Sequence, residues 1–227
     1  MKMPVSSKRF QEILRNRSSF IPMIGNIILA LLVSMVLIAL SGADPFLAVY
    51  SLFRGAFGSW NKVLETLIKS TPLIGVGLAI AIGFTGGVFN IGVEGQFLAG
   101  AFACGLLGIF FPGLPGYIYI PMLLVTGLAA GALYALLPAI AKISRGVHEI
   151  ITTIMLNYIG LYVIHYLVYT FFKTPGDIAA MDYLPDSAKI PRIFPGGTSR
   201  LSWSFVIILV FALLLYYMLK KSTLGYE

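Results

Sequence analysis

The stretch Phe84–Phe97, FTGGVFNIGVEGQF, lies in the most apolar part of the chain, yet it carries Asn90, Glu94 and Gln96 among Gly86, Gly87, Gly92 and Gly95, with Gly83 just before it. Each glycine costs a helix up to about 1 kcal/mol against alanine, so the segment makes a poor uninterrupted helix. A carboxylate at mid-membrane costs roughly 3 kcal/mol on insertion scales. Glu94 therefore needs a cavity, a partner or an interface. On a regular helix Asn90 and Glu94 share a face, while Gln96 points about 200° away from Glu94. The three polar groups converge only where the backbone departs from a helix, and the glycines permit that departure. Broken helices that present polar groups to a solute are a recurring device of transporters. Two other readings stay open. Ala79, Gly83 and Gly87 fall at four-residue steps, as Gly127 and Gly131 do, a pattern of close helix packing. Glu94 can also sit at the cytoplasmic interface between two spans.

The membrane setting comes from composition. Hydrophobic residues make up 58% of the 227 and charged residues 11%, with a mean hydropathy of +0.91. Soluble domains are about 25% charged. The fold class is all-α, a polytopic helical bundle. The formal charge of +7 does not signal nucleic acid, because the basic residues flank apolar runs instead of forming a patch with exposed aromatics. Cys104, the single cysteine, lies in an apolar run, so there is no disulfide framework and no metal motif.

A helix needs about 20 apolar residues to cross the hydrocarbon. Six runs reach or approach that length, at 20–41, 70–86, 95–111, 117–141, 150–172 and 202–219. The first follows a basic leader, residues 1–19, with Lys2, Lys8, Arg9, Arg15 and Arg17. It is too long for a signal-peptide core and reads as an uncleaved anchor. With the leader in the cytoplasm, alternation brings Lys142, Arg145, Lys220 and Lys221 to the same side, in short segments beside helix ends.

Two segments outside the spans have character. Phe46, Val49, Tyr50, Phe53, Phe57 and Trp60 recur at helical spacing behind Asp44-Pro45, which predicts a helix over 44–62 on the outer membrane surface; a loop packed against the bundle is the other reading. The loop 173–201 is rich in proline, glycine and charge, and is long enough to meet an external partner.

The fifth run, GVHEIITTIMLNYIGLYVIHYLVYTFF (146–172), holds a second polar cluster. Tyr166, Tyr169 and His165 suit the outer interface. Asn157, Tyr158 and Tyr162 lie deeper. An aromatic face beside an amide suits a planar polar solute, although helix packing explains either tyrosine alone slightly better. Glu149 suits a helix N-terminus. The 227 residues contain no phosphate loop, no H-E-x-x-H and no G-x-S-x-G. The chain is read as one that does no chemistry and needs no cofactor of its own.

The segments GFTGGVFNIGVEGQFLAGAFA (83–103) and VHEIITTIMLNYIGLYV (147–163) resemble signature stretches of bacterial ABC-type import permeases of the nucleoside and simple-sugar branch, related to the ribose and branched-chain amino-acid permeases. ETLIKSTPLIGVGLAIA (65–81) and KKSTLGYE (220–227) fit that branch too. The resemblance implies a type II importer fold and a membrane subunit for nucleosides or a related small polar solute. It also implies three partners: a second permease, a cytoplasmic ATPase that binds the ATP, and an external substrate-binding lipoprotein. It places Asn90, Glu94 and Gln96 in a loop-like stretch near the solute path, with Asn157 in the later motif. Permeases of this kind continue beyond a segment like 222–227, so residues 20–227 read as the N-terminal part of such a domain. Two readings from other classes remain at this point: a stand-alone carrier or channel with Glu94 as its ion or proton site, and a non-transporting membrane scaffold.

Overall fold

The computed structural model describes residues 5–172, 174, 180–194 and 199–221, and for residues 5–21 the backbone alone. Among the described residues seven α-helices follow one another: α1 Val5–Leu40, α2 Pro45–Phe57, α3 Trp60–Thr85, α4 Val93–Phe110, α5 Gly116–Arg145, α6 Glu149–Leu167 and α7 Ser204–Lys221. A π-type turn, Val168–Phe172, continues α6, and a short 3-10 turn covers Asp186–Ala188. No strand occurs among the described residues. All the α-helices except α2 are long and apolar enough to cross a membrane. They coincide with the six apolar runs.

The ends of these helices have local causes. α1 starts at Val5, so most of the basic leader is helical; Met1–Pro4 lie outside the described residues. Asp44 caps α2, its carboxylate accepting from the Phe46 and Leu47 amides at 2.8 and 3.2 Å, with Pro45 in the first turn. α2 stops at Phe57 and Trp60 opens α3, so the helix expected over 44–62 is shorter and Trp60 is not on it. α3 begins ten residues before the apolar run at 70. The segment 60–69 has no proline or glycine to stop it, although Lys62, Glu65 and Lys69 mask it in a hydropathy reading. Phe111-Pro112-Gly113 ends α4, and Gly146, left-handed at φ +63°, ends α5.

The chain divides into two compact units, 1–66 and 67–227. In the first, α1 packs on α2, and the Thr66 hydroxyl bonds the Ala56 carbonyl at 3.0 Å. In the second, α4, α5 and α6 form the tightest group. Gly127 of α5 lies against Gly100 of α4, and Gly131 faces the Gln96 carbonyl, so the close-packing pattern predicted in α5 is present. At the other end of α4 and α5, Tyr119 is fully buried and Ala188 nearly so. Met181 and Leu184 lie against Gly105 and Gly108. This part of the 173–201 loop packs on helix ends; Lys173, residues 175–179 and 195–198 lie outside the described residues, as does 222–227.

Candidate functional site

The break predicted from the glycines lies between Thr85 and Val93. Gly87, left-handed at φ +71°, turns the chain; its N–H donates to the Phe84 carbonyl at 3.2 Å, and the Val88 N–H reaches the Gly83 carbonyl at 2.9 Å. This pair of bonds is a Schellman stop, for which a residue with positive φ is needed. Gly87 thus lies beyond the helix, with open space where a side chain would project, and a side chain on Gly83 would meet the carbonyl of Val88. The packing stripe expected from Ala79, Gly83 and Gly87 is not formed: two of its members serve the break instead. Gly86 follows Thr85 within the turn, and Phe84 and Phe89 rings meet at 5.1 Å across it.

The chain re-enters a helix without a local cap. Gly92 occupies the N-cap position of α4 and has no side chain to offer. Two asparagines fill the gap. Asn90 Oδ1 accepts from the Gly92 amide at 2.9 Å, a local turn. Asn157, on α6, accepts from the Gly95 amide at 2.8 Å through Oδ1 and donates to the Ile91 carbonyl at 2.9 Å through Nδ2. An amide N–H in the first turn of α4, left without a partner inside the helix, is satisfied from another helix. This needs a close approach. A methyl on Gly95 would meet Tyr134 Cε1 at 2.9 Å and Asn157 Oδ1 at 3.0 Å. Tyr134 of α5 completes the junction, donating to the Leu156 carbonyl at 2.6 Å.

The junction is recessed. Asn157 comes eight residues after the start of α6, about 12 Å along its axis at 1.5 Å per residue. The beginning of α4 therefore sits deep between α5 and α6.

Around this point the polar residues separate into two groups. Asn90 and Gln96 face each other, each amide nitrogen 3.3 Å from the other's oxygen. They line a cavity of about 330 Å³ with Val88, Phe89, Ala135 and Pro138, and Lys142 and Glu149 form an ion pair at 3.0 Å on its wall. Glu94 turns the other way, into a second cavity of about 340 Å³ shared with Ile91, Ile154, Asn157, Tyr158 and Leu161. Glu94 is exposed and has no ion pair or hydrogen bond among the described residues. The departure from helix thus brings Asn90 to Gln96 but not to Glu94, because α4 is already regular at Val93 and keeps residues 94 and 96 on different faces. Tyr162 is exposed, one turn beyond Tyr158, and lines neither cavity.

Sequence reasoning missed Tyr134 and the Lys142–Glu149 pair. A lone tyrosine within ALYALL was the available signal for the first. For the second there was only the seven-residue spacing across the turn at Gly146. No group of residues suited to hold a metal ion occurs among the described residues.

The family profile described as "Branched-chain amino acid transport system / permease component" matches residues 62–227. The guanosine ABC transporter permease protein NupP of Bacillus subtilis is 36% identical over 208 residues, 91% of this chain and 59% of its own length. The nucleoside ABC transporter permease protein NupB of Lactococcus lactis is 29% identical, over 94% of this chain and 60% of its own. The glucose ABC transporter permease protein TsgB13 of Haloferax volcanii is 28% identical, over 88% and 55%. The chain spans about three-fifths of the length of the first two relatives. No solved structure gives a significant match.

Proposed function

The chain belongs to the branched-chain amino acid transport system / permease component family, and from that membership we propose that it is part of the membrane subunit of an ATP-driven importer for nucleosides. The names of NupP and NupB carry the choice of nucleoside; the name of TsgB13 keeps a simple sugar as the second candidate. In this reading ATP is bound and hydrolysed by a cytoplasmic ATPase subunit, solute arrives on an external binding lipoprotein, and a second permease completes the path in a bacterial plasma membrane.

One observation carries the reading. Glu94, Tyr158 and Tyr162 are exposed on α4 and α6 at or beyond the depth of the recessed junction. A carboxylate there cannot face hydrocarbon cheaply, so this polar face looks onto water or protein. A solute path shared with a second permease supplies both. The tyrosines offer flat surfaces and hydroxyls, and Glu94 offers an acceptor, which suits a ring with attached hydroxyl groups.

The test is uptake by the whole protein reconstituted with its ATPase and second permease in proteoliposomes, with binding protein outside. Guanosine accumulation that requires ATP inside supports the proposal. Accumulation that follows a proton or sodium gradient without ATP would replace it with a secondary carrier using Glu94.

A further inference from the structure

The cavity that holds Asn90 and Gln96 is separate from the polar face just described, and it too is equipped for a ligand. Its walls are apolar: Val88 and Phe89 from the break, Ala135, Pro138 and Ala139 from α5. Phe89 is half exposed, so a ring surface is open to contact. The polar equipment is at two places. The Lys142–Glu149 pair sits where α5 ends and α6 begins. The other is the pair of amides, which bond only weakly, since 3.3 Å is long for two N–H···O bonds. The Gln96 side chain has no other hydrogen-bond partner among the described residues.

A carboxamide presents a donor beside an acceptor in one plane. Asn and Gln pair in this way with adenine N6–H and N7, a discriminating bidentate contact; on guanine the O6 and N1–H edge offers the same acceptor beside a donor, and an aromatic ring adds stacking on the base. At about 330 Å³ the space lies within the range of small-molecule sites. We propose that this cavity is a second ligand station, in which Gln96, with Asn90, exchanges the amide–amide bonds for the edge of a purine base stacked beside Phe89. It opens at the end of the bundle where Lys142 and Arg145 lie, so in the predicted orientation it serves solute on the cytoplasmic side. This rests on the nucleoside reading above for its choice of ligand.

Photolabelling of the assembled transporter in inside-out vesicles with 8-azidoguanosine, followed by peptide mapping, tests it. Expected is label on Val88–Phe89 or Pro138–Lys142, suppressed by excess guanosine. Gln96→Met should weaken that suppression about tenfold, and Ala139→Phe, which fills the space from the α5 wall, should abolish the label. Label confined to Ile154–Leu161, or label indifferent to both substitutions, overturns the station. The two readings fail separately. ATP-driven guanosine uptake with no label in this cavity leaves the importer and removes the station. Guanosine-protected label there without ATP-driven uptake retains the station and removes the importer.

Discussion

Asn157 of α6 holds Gly95 of α4 by a 2.8 Å hydrogen bond across 62 residues of sequence. Its other amide atom holds the Ile91 carbonyl at 2.9 Å, so one side chain grips both sides of the helix start. Without it, the buried Gly95 amide loses its partner, at about 1–3 kcal/mol, whereas the Ile91 carbonyl is exposed and loses less. Asn157→Leu should therefore destabilise the protein by roughly 1–3 kcal/mol, read as a fall in the thermal unfolding midpoint in detergent. Asn157→Asp keeps the acceptor for Gly95 and should lose less. Equal stability of Asn157→Leu and wild type would show that the junction does not depend on this residue.

Tyr134 and Gly160 make a second, sharper test. A methyl at position 160 would meet the Tyr134 hydroxyl oxygen at 2.6 Å and Cζ at 3.2 Å. Gly160→Ala should cost about 1–3 kcal/mol by overpacking. Tyr134→Phe should cost about 1 kcal/mol, the bond to Leu156 being lost. Together they should cost less than their sum by about 1 kcal/mol, because the phenylalanine no longer carries the oxygen that collides. Additivity within error in a double-mutant cycle would refute the contact.

These two junctions mark where sequence reading stops. The six spans were legible because a membrane helix announces itself by some 20 apolar residues, and the break was legible because glycines cluster at residues 83–95. The identity of the converging groups was not. Periodicity describes one helix at a time, whereas Gly95 depends on a side chain 62 residues away, and Gln96 on an asparagine beyond the helix start. The four-residue step of Ala79, Gly83 and Gly87 illustrates the same limit. Its spacing assumes a helix, and the helix stops at Thr85. Met181 and Leu184 packing on α4 left no periodic trace, since the segment that carries them is irregular.

Outside the membrane, Asp186 is paired with Lys189 at 2.6 Å. The Lys189 hydrogen bond first, then the Lys189 and Arg192 charges, hold its carboxyl below the ordinary range. A depressed folded value means that the pair's contribution is present above the usual Asp pKa of about 3.9 and lost as pH falls through the lower folded value. Both side chains are largely exposed, so the effect belongs to the local turn. A carbon-detected NMR titration should show the Asp186 midpoint rising when Lys189 is replaced by Met. An unchanged midpoint would mean the pair does not persist in solution.

Glu94 separates fold from function. It has no hydrogen bond or ion pair among the described residues, and its only contribution to α4 is a negative charge in the first turn, about 0.3–1 kcal/mol when exposed. Glu94→Gln keeps the shape and removes the charge. Thermal stability should fall by no more than about 1 kcal/mol, while ATP-driven uptake by the reconstituted transporter should fall about tenfold or more, as for a buried charge-assisted contact worth about 1.5–3 kcal/mol. Uptake preserved together with stability would take Glu94 off the solute path. If stability collapsed instead, the carboxylate would be holding an unrecognised neighbour, and the polar face of α4 and α6 would be an assembly surface.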